Sequence, residues 1–305
     1  MLSVAVQRHI ALMRACGFVF DDQARLLTSY AAFAEACGDT LVRTDTVLDW
    51  SRKAASAQRR RTFYLTVRRF ALAEVAEDAG HQVPPADLLP YAAKQRPTPY
   101  IYTPDEVAGL VAVADRAATR RCRAPGQSRV LFGLLAATGM RISEALGLDI
   151  ADVTPDGLLI REAKRRGRRL LPLHPTVETV LQAYLDRRTR IPDASGAMFL
   201  GDRSGRLLDE AVRYIFRRML ALTGLTGAAQ GGRNPRIHDL RHTFAVRSLE
   251  ACASGRGAVA RHMVGLSNWL GHVNIVDTYW YLEGTPAVLG RIAASTEAFV
   301  VGEHP

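Results

Sequence analysis

The sequence predicts a mainly α, α+β protein in two parts, and three observations predict it. Apolar residues recur at helical spacing along most of the chain, prolines crowd one stretch near its first third, and one pair of short apolar segments flanks a basic turn. At 305 residues and 48% apolar content, the chain is long enough to bury two cores.

The first part reads as helices throughout. Val4 to Cys16 keeps helical apolar spacing, and Gly17 stops it. Asp21 or Asp22 is placed to cap a second helix, with Leu26, Leu27, Tyr30 and Phe33 on its face and Gly38 at its end. A short helix starts at Asp45 and passes Trp50, and a fourth is expected from about Ala55 to Ala79, ending at Gly80. Pro84, Pro85, Pro90, Pro97 and Pro99 remove amide donors and disfavour helix. Residues 82–99 are therefore expected as a linker between a helical domain, 1–81, and a second domain, 100–305.

Past the prolines, Thr103 and Glu106 fit a capping box with Pro104 in the first turn, and a helix should run to about Arg120. Arg129 to Ala137 is apolar enough for a buried helix. Thr138-Gly139 breaks it, and Arg141 to Leu146 resumes. Leu158 to Ile160 and Leu170 to Leu173 read as strands around a basic turn from Lys164 to Arg169. From Asp209 onward the pattern is helical again, interrupted by a Gly-rich stretch at 224–232. There is no repeat, no Walker phosphate loop and no GxGxxG, so nothing points to ATP or a dinucleotide.

The net charge of +10 suggests a polyanionic partner. Lysine is scarce, confined to Lys53, Lys94 and Lys164; the other basic residues are arginines, whose planar fork donates two parallel hydrogen bonds to a phosphate. Arg59, Arg60, Arg61, Arg68 and Arg69 crowd the fourth helix, and Arg165, Arg166 and Arg168 the basic turn. These are the candidate DNA contacts; a solvated helix face is the alternative for the first group, but a DNA-facing helix explains its density better, since phosphate contacts need many cations on one side. Cys16, Cys37, Cys122 and Cys252 lack the spacing of a zinc or redox pair, so no metal site is expected. No apolar run is long enough to span a membrane. Met1 to Phe20 reads as an amphipathic helix rather than a signal peptide, which places the chain in the cytoplasm with no membrane partner.

Four segments carry candidate chemistry. In Ala137-Thr-Gly-Met-Arg141-Ile-Ser-Glu144, a turn sets Arg141 at a helix start, where free amides and the dipole favour an anion. Glu144, one turn on, can hold the guanidinium; alone, the pair reads as a plain salt bridge. In His238-Asp-Leu-Arg241-His242, His238 and Arg241 share one helix face and can donate to one phosphate. In Leu270-Gly-His272 the glycine can end a helix and leave His272 in the turn. Thr278-Tyr279-Trp-Tyr281 offers tyrosines able to act as covalent nucleophiles, although a packed aromatic is the commoner case.

Taken together, these segments resemble the phage-integrase family of tyrosine recombinases, whose pattern runs Arg, Lys, His-x-x-Arg, His, Tyr. ATGMRISE supplies Arg141, the basic turn supplies Lys164, HDLRH supplies His238 and Arg241, LGH supplies His272, and Tyr281 follows nine residues later. The resemblance covers about residues 100–285 closely and the N-terminal helices loosely, as the family's core-binding domain ahead of its catalytic domain. The long stretch between HDLRH and LGH, with Ser254-Gly-Arg-Gly257, and the ending LGHVNIVDTYWYLEGTP look like transposase-type members carried on mobile elements.

The resemblance implies a site-specific recombinase that integrates, excises or transposes DNA through a 3′-phosphotyrosyl ester on Tyr281. Arg141 and Arg241 would hold the phosphate, His238 and His272 would add hydrogen bonds, Lys164 would protonate the leaving oxygen, and Glu144 would support Arg141. It implies no cofactor and no metal, double-stranded DNA as partner, and a homo-oligomer, dimeric on a site and tetrameric in synapsis. A type IB topoisomerase-like relaxing activity and a catalytically silent DNA-binding regulator remain the alternatives. The last apolar segment, with Val288, Leu289, Ile292 and Phe299, is expected to dock on a neighbouring protomer or to fold back on its own.

Overall fold

The computed structural model describes residues 1–90, 98–119, 122–161, 168–192, 195–202, 205–252, 256–272, 274–275 and 278. The chain divides into two compact units, Met1–Arg96 and Pro97–Pro305.

The first unit is helical: α1 (Leu2–Ala15), α2 (Asp21–Ala36), α3 (Thr44–Ser51) and α4 (Ala57–Glu74). Its core gathers the inward faces, with Leu27, Tyr30, Trp50, Tyr64 and Phe70 almost wholly buried. Asp21 and Asp22 fall in the first turn of α2, where negative charge suits the helix dipole, while Phe20 occupies the cap position. Ser56 caps α4 by accepting from the Arg59 amide. This helix stops short of the expected Ala79, and residues 75–81 continue as turns. Part of the expected linker packs on this unit. Val83 and Leu89 lie against its core, Tyr64 Oη donates to the Pro85 carbonyl, and Arg61 donates to the Leu89 carbonyl. Proline removes helix, but it does not stop apolar neighbours from burying.

The second unit is built around α6 (Gln127–Thr138), which is buried on most of its circumference. Around it stand α5 (Pro104–Ala117), α7 (Ile142–Gly147), α8 (Pro175–Arg188), α9 (Asp209–Thr223), α10 (Ile237–Glu250) and α11 (Arg256–Leu270). The capping box on α5 is present in both directions, Thr103 to the Glu106 amide and Glu106 to the Thr103 amide. Helix α8 was not expected. Its moderate apolar content hides a narrow buried face of Leu181, Tyr184 and Leu185.

One small antiparallel sheet, in the order β1 (Val153–Thr154), β2 (Gly157–Arg161), β3 (Arg168–Leu171), covers one side of this core. The two longer strands were expected; two-residue β1 is too short to carry a periodic signal. Leu158 pairs with Leu171 and Ile160 with Arg169, so these four share one sheet face. Leu158, Ile160 and Leu171 on that face are buried, while Arg168 and Leu170 point the other way and are exposed. Among the described residues no helix is long and apolar enough to cross a membrane.

Two glycines of this unit should respond oppositely to substitution. Gly157 has φ +128°, and a Cβ there would lie 2.2 Å from the Leu171 carbonyl oxygen. Gly157→Ala should cost about 1–3 kcal/mol in backbone strain alone, besides opening the hairpin. Gly133 lies within α6 with nothing within 4 Å of an added Cβ, so Gly133→Ala should stabilise by up to about 1 kcal/mol. Urea unfolding of both variants checks the pair; a neutral Gly157→Ala would contradict the hairpin geometry.

Candidate functional site

The site forms where three breaks in helical structure meet. Helix α6 ends at Gly139, with φ +63°, and the chain turns at once into α7, whose cap residue is Arg141. An added Cβ at Gly139 would meet the Phe244 ring at 2.6 Å, so α6 and α10 approach too closely for a side chain there. HDLRH forms the first turns of α10, with Arg236 at its cap. Helix α11 ends at Leu270, followed by Gly271 with φ +63°. The His272 amide reaches back to the Ser267 carbonyl and the Gly271 amide to the Asn268 carbonyl, both at 3.0 Å. This is a Schellman closure. It leaves the last carbonyls of α11 free to accept from elsewhere.

Arginines take them. Arg241 Nη2 donates to the Leu270 carbonyl at 2.8 Å and Nη1 to the Gly139 carbonyl at 2.9 Å. Arg141 Nη2 donates to the Gly271 carbonyl at 3.2 Å and Nη1 to that of Leu270 at 3.4 Å. Arg169, from β3, donates through Nε to the Trp269 carbonyl at 2.9 Å. A helix C-terminus carries orphan acceptors and about half a negative charge, so it is a natural seat for cations. Arg241 is only 2% exposed, whereas the Arg141 side chain is 39% exposed. Arg241 is thus a built-in cation and Arg141 an accessible one.

The remaining expected residues fall into place around this pair. Arg241 Nη2 lies 2.8 Å from His272 Nε2, and His272 Nδ1 lies 2.7 Å from Thr278 Oγ1. A guanidinium has only donors, so Nε2 is the acceptor and Nδ1 carries the proton toward Thr278. Glu144 takes Arg141 Nη1 at 2.7 Å and the Arg141 amide at 2.8 Å. It also takes Arg169 Nη2 at 2.8 Å. Burial would raise the Glu144 pKa, but the hydrogen bonds from Arg169 and Arg141 outweigh it and hold the carboxyl below its ordinary value. Loss of solvent, then the positive charge of Arg241, lowers the His238 pKa, leaving a neutral ring at the solvent edge. Behind it His242 stands edge-on with centroids 4.8 Å apart, pushed down to about 4 by burial and then by His238.

The structure thus brings Arg141, Glu144, His238, Arg241 and His272 together. Lys164 and Tyr281 lie outside the described residues, as do Arg165, Arg166 and the apolar segment from Val288 to Phe299. Arg168 is exposed on the outer face of β3. In the first unit the arginines of α4 do not form one face. At about 100° per residue, Arg61 and Arg68 share a side and Arg59 lies opposite. Arg59 and Arg69 are exposed; Arg60, Arg61 and Arg68 are half-buried, and Arg61 holds the Leu89 carbonyl. The density read from the sequence is therefore spread around the helix rather than gathered on one side. Arg169 was missed altogether, although its place two residues before the buried Leu171 puts it on the inward face of β3.

A cavity of about 810 Å³ opens beside the site, between Leu173 and Val177 on one side and Phe244, Leu266 and Trp269 on the other. None of Arg141, His238, Arg241 or His272 lines it. Among the described residues, no group of three or more His, Cys, Asp or Glu could hold a metal. The arrangement can bind an anion between Arg141 and Arg241, beside an unprotonated histidine.

Comparison with known proteins gives the same direction. Residues 101–286 match the model described as the phage integrase family. A protein named integrase/recombinase y4rB, from Sinorhizobium fredii, is 35% identical over 295 residues, covering 93% of each chain. Two solved structures share the fold. The XerH site-specific recombinase bound to palindromic difH substrate has a TM-score of 0.63 at 17% identity, over 97% of this chain and 85% of that one. A lambda integrase tetramer bound to a Holliday junction has a TM-score of 0.60 at 18% identity, over 90% and 77%.

The low pKa of His242 has a measurable sign. Between its ordinary value of 6.5 and about 4, the unfolded chain takes up a proton that the folded chain refuses, so stability falls as pH drops through that window. His242→Gln should flatten this part of the profile of urea midpoint against pH. An unchanged slope would mean that the ring is charged in the fold.

Proposed function

The chain belongs to the phage integrase family, and on that premise we propose that it is a site-specific DNA recombinase that cuts through a covalent 3′-phosphotyrosyl intermediate on Tyr281. The observation that carries this reading is the convergence of Arg141, Arg241 and His272 at the end of α11, with His238 close enough to both arginines to feel their charge, from segments more than a hundred residues apart in sequence.

The chemistry follows from the obstacles to phosphodiester cleavage. Negative charge repels a nucleophile, and it grows on the phosphoryl oxygens in the transition state. Arg141 and Arg241 are pre-set to receive that charge, with little reorganisation, because protein carbonyls already hold both guanidiniums. His238, neutral near pH 7, is able to accept the Tyr281 proton, while His272 accepts from Arg241 and holds that guanidinium in place. Lys164 protonates the departing 5′ oxygen. The tyrosyl ester conserves the bond energy, so a 5′ hydroxyl of another strand can displace it without ATP, and the step calls for no metal and no cofactor.

Two such exchanges, by a dimer on each duplex and a tetramer in synapsis, complete recombination. The first unit, as a core-binding domain, adds phosphate contacts; Arg59 and Arg69 are its most accessible candidates on α4, with Arg168 from the second unit. The product is integration, excision or transposition of a mobile element, carried out in the cytoplasm on nucleoid DNA.

The decisive test is a suicide DNA substrate that traps the covalent adduct. Tyr281→Phe should abolish the adduct with DNA binding unchanged, while Tyr279→Phe retains it. Adducts surviving in Tyr281→Phe and lost in Tyr279→Phe reverse the assignment.

The acid role is tested separately. DNA with sulfur at the 5′ bridging position has a good leaving group and needs little proton help. Lys164→Ala should cut normal DNA poorly and the sulfur substrate well, whereas Arg141→Ala should be slow on both. Equal defects of Lys164→Ala on the two substrates would remove lysine from the acid position.

A further inference from the structure

Arg141 has a difficulty that the proposed mechanism does not resolve. Its Nη1 is paired with the Glu144 carboxylate at 2.7 Å, and that carboxylate is only 9% exposed. A buried anion in contact with a cation largely cancels its field, and it competes with an incoming phosphate for the same donors. Left to itself, Glu144 would make Arg141 a poor anion receptor.

Arg169 changes this balance. Its Nη2 lies 2.8 Å from Glu144 Oε2 and its Nη1 3.2 Å from Oε1, a two-pronged contact on one carboxylate. The Arg169 side chain is 11% exposed, so it belongs to the interior and not to the DNA-facing surface. Its Nε is fixed on the Trp269 carbonyl, one residue before the carbonyl shared by Arg141 and Arg241. The group Arg141, Glu144 and Arg169 therefore carries two positive charges and one negative. The excess charge lies with the member that solvent reaches, Arg141.

We propose that Arg169 is a positioning residue for strand cleavage: it engages Glu144 from within, so that the carboxylate orients Arg141 without neutralising it. Glu144 also accepts from the Arg141 amide, so it is anchored at the root of α7 as well as at the guanidinium tip. Arg169 holds the other side of the carboxylate and ties it to the end of α11. The charge-bearing tip of Arg141 is then placed by two elements, α7 and α11, and its charge stays available to a phosphate. The role requires an arginine, because a lysine can supply the charge but not three donors in one plane toward Glu144 and the Trp269 carbonyl.

This proposal rests on the reading that Arg141 receives the scissile phosphate, and the test separates the two. Single-turnover cleavage of a suicide substrate is measured at saturating DNA, with DNA affinity and urea midpoint measured alongside. Arg169→Gln should slow cleavage by about tenfold or more, which is about 1.4 kcal/mol of barrier, with DNA affinity changed less than about twofold on the same scale. Sulfur at the 5′ bridging position should not rescue it, because charge stabilisation and not proton supply is impaired.

Arg169→Lys, which keeps the charge and favours a folded protein, should fall between wild type and Arg169→Gln. The double variant Glu144→Gln with Arg169→Gln removes one charge of each sign, restores the excess charge on Arg141, and should cleave faster than Arg169→Gln alone at temperatures where both are fully folded. Wild-type cleavage by Arg169→Gln, or a double variant no faster than the single one, overturns the proposal. Full activity of Arg141→Ala would instead overturn the phosphate reading beneath it.

Discussion

The end of α11 holds the site together. Its closing glycine turns the chain so that three successive carbonyls, those of Trp269, Leu270 and Gly271, face inward and accept from Arg169, Arg241 and Arg141. A helix terminus is one of the few places in a protein where uncharged backbone can seat several cations in a confined space. Arg241, almost fully buried, is stabilised there by backbone acceptors and His272. Without that terminus, closely placed guanidiniums would repel one another in a medium that screens poorly.

That anchoring explains the electrostatic character of the site. Glu144, a nearly buried carboxylate within it, is held by two arginines. His238 and His242 are driven toward their neutral forms first by loss of solvent, with the positive charge of Arg241 adding to the effect. A pocket of fixed cations beside an uncharged base suits a phosphodiester, which brings its own negative charge and requires a proton acceptor near a hydroxyl nucleophile. Packing outside the cluster serves the same geometry. Trp269 stacks on Phe244 and donates through its indole nitrogen to the Thr138 carbonyl, fixing α11 against the end of α6. The Gly139 carbonyl, one residue on, is the second seat of Arg241.

Much of this was legible in the chain. Helical periodicity located α1 to α7 within a few residues at most ends, and the α5 capping box and the stop at Gly271 were readable because each rests on local chemistry. Arg141, His238, Arg241 and His272 stood out as a set through their motifs. What escaped were features with weak local signals: α8, whose buried face is narrow; β1, which is two residues long; and the seating of residues 83–89 on the first core despite their prolines. The arginines of α4 misled in the opposite sense, since a run of consecutive residues must spread around a helix.

The sequence by itself determined the mainly helical class, the β2–β3 hairpin, the order of the candidate residues and the excess of arginine suited to a phosphate, because composition, periodicity and motif spacing are properties of the linear chain. Tertiary structure alone decided which arginines are buried and which reach solvent, and which carboxylate and carbonyls hold them. Arg169 shows the reason. Among neighbouring arginines in a basic turn it has no local distinction, and only its inward place on β3, opposite Ile160, carries it to Glu144 and the end of α11. Partners a hundred residues away in sequence are chosen by how sheet and helices pack, and no local pattern contains that choice.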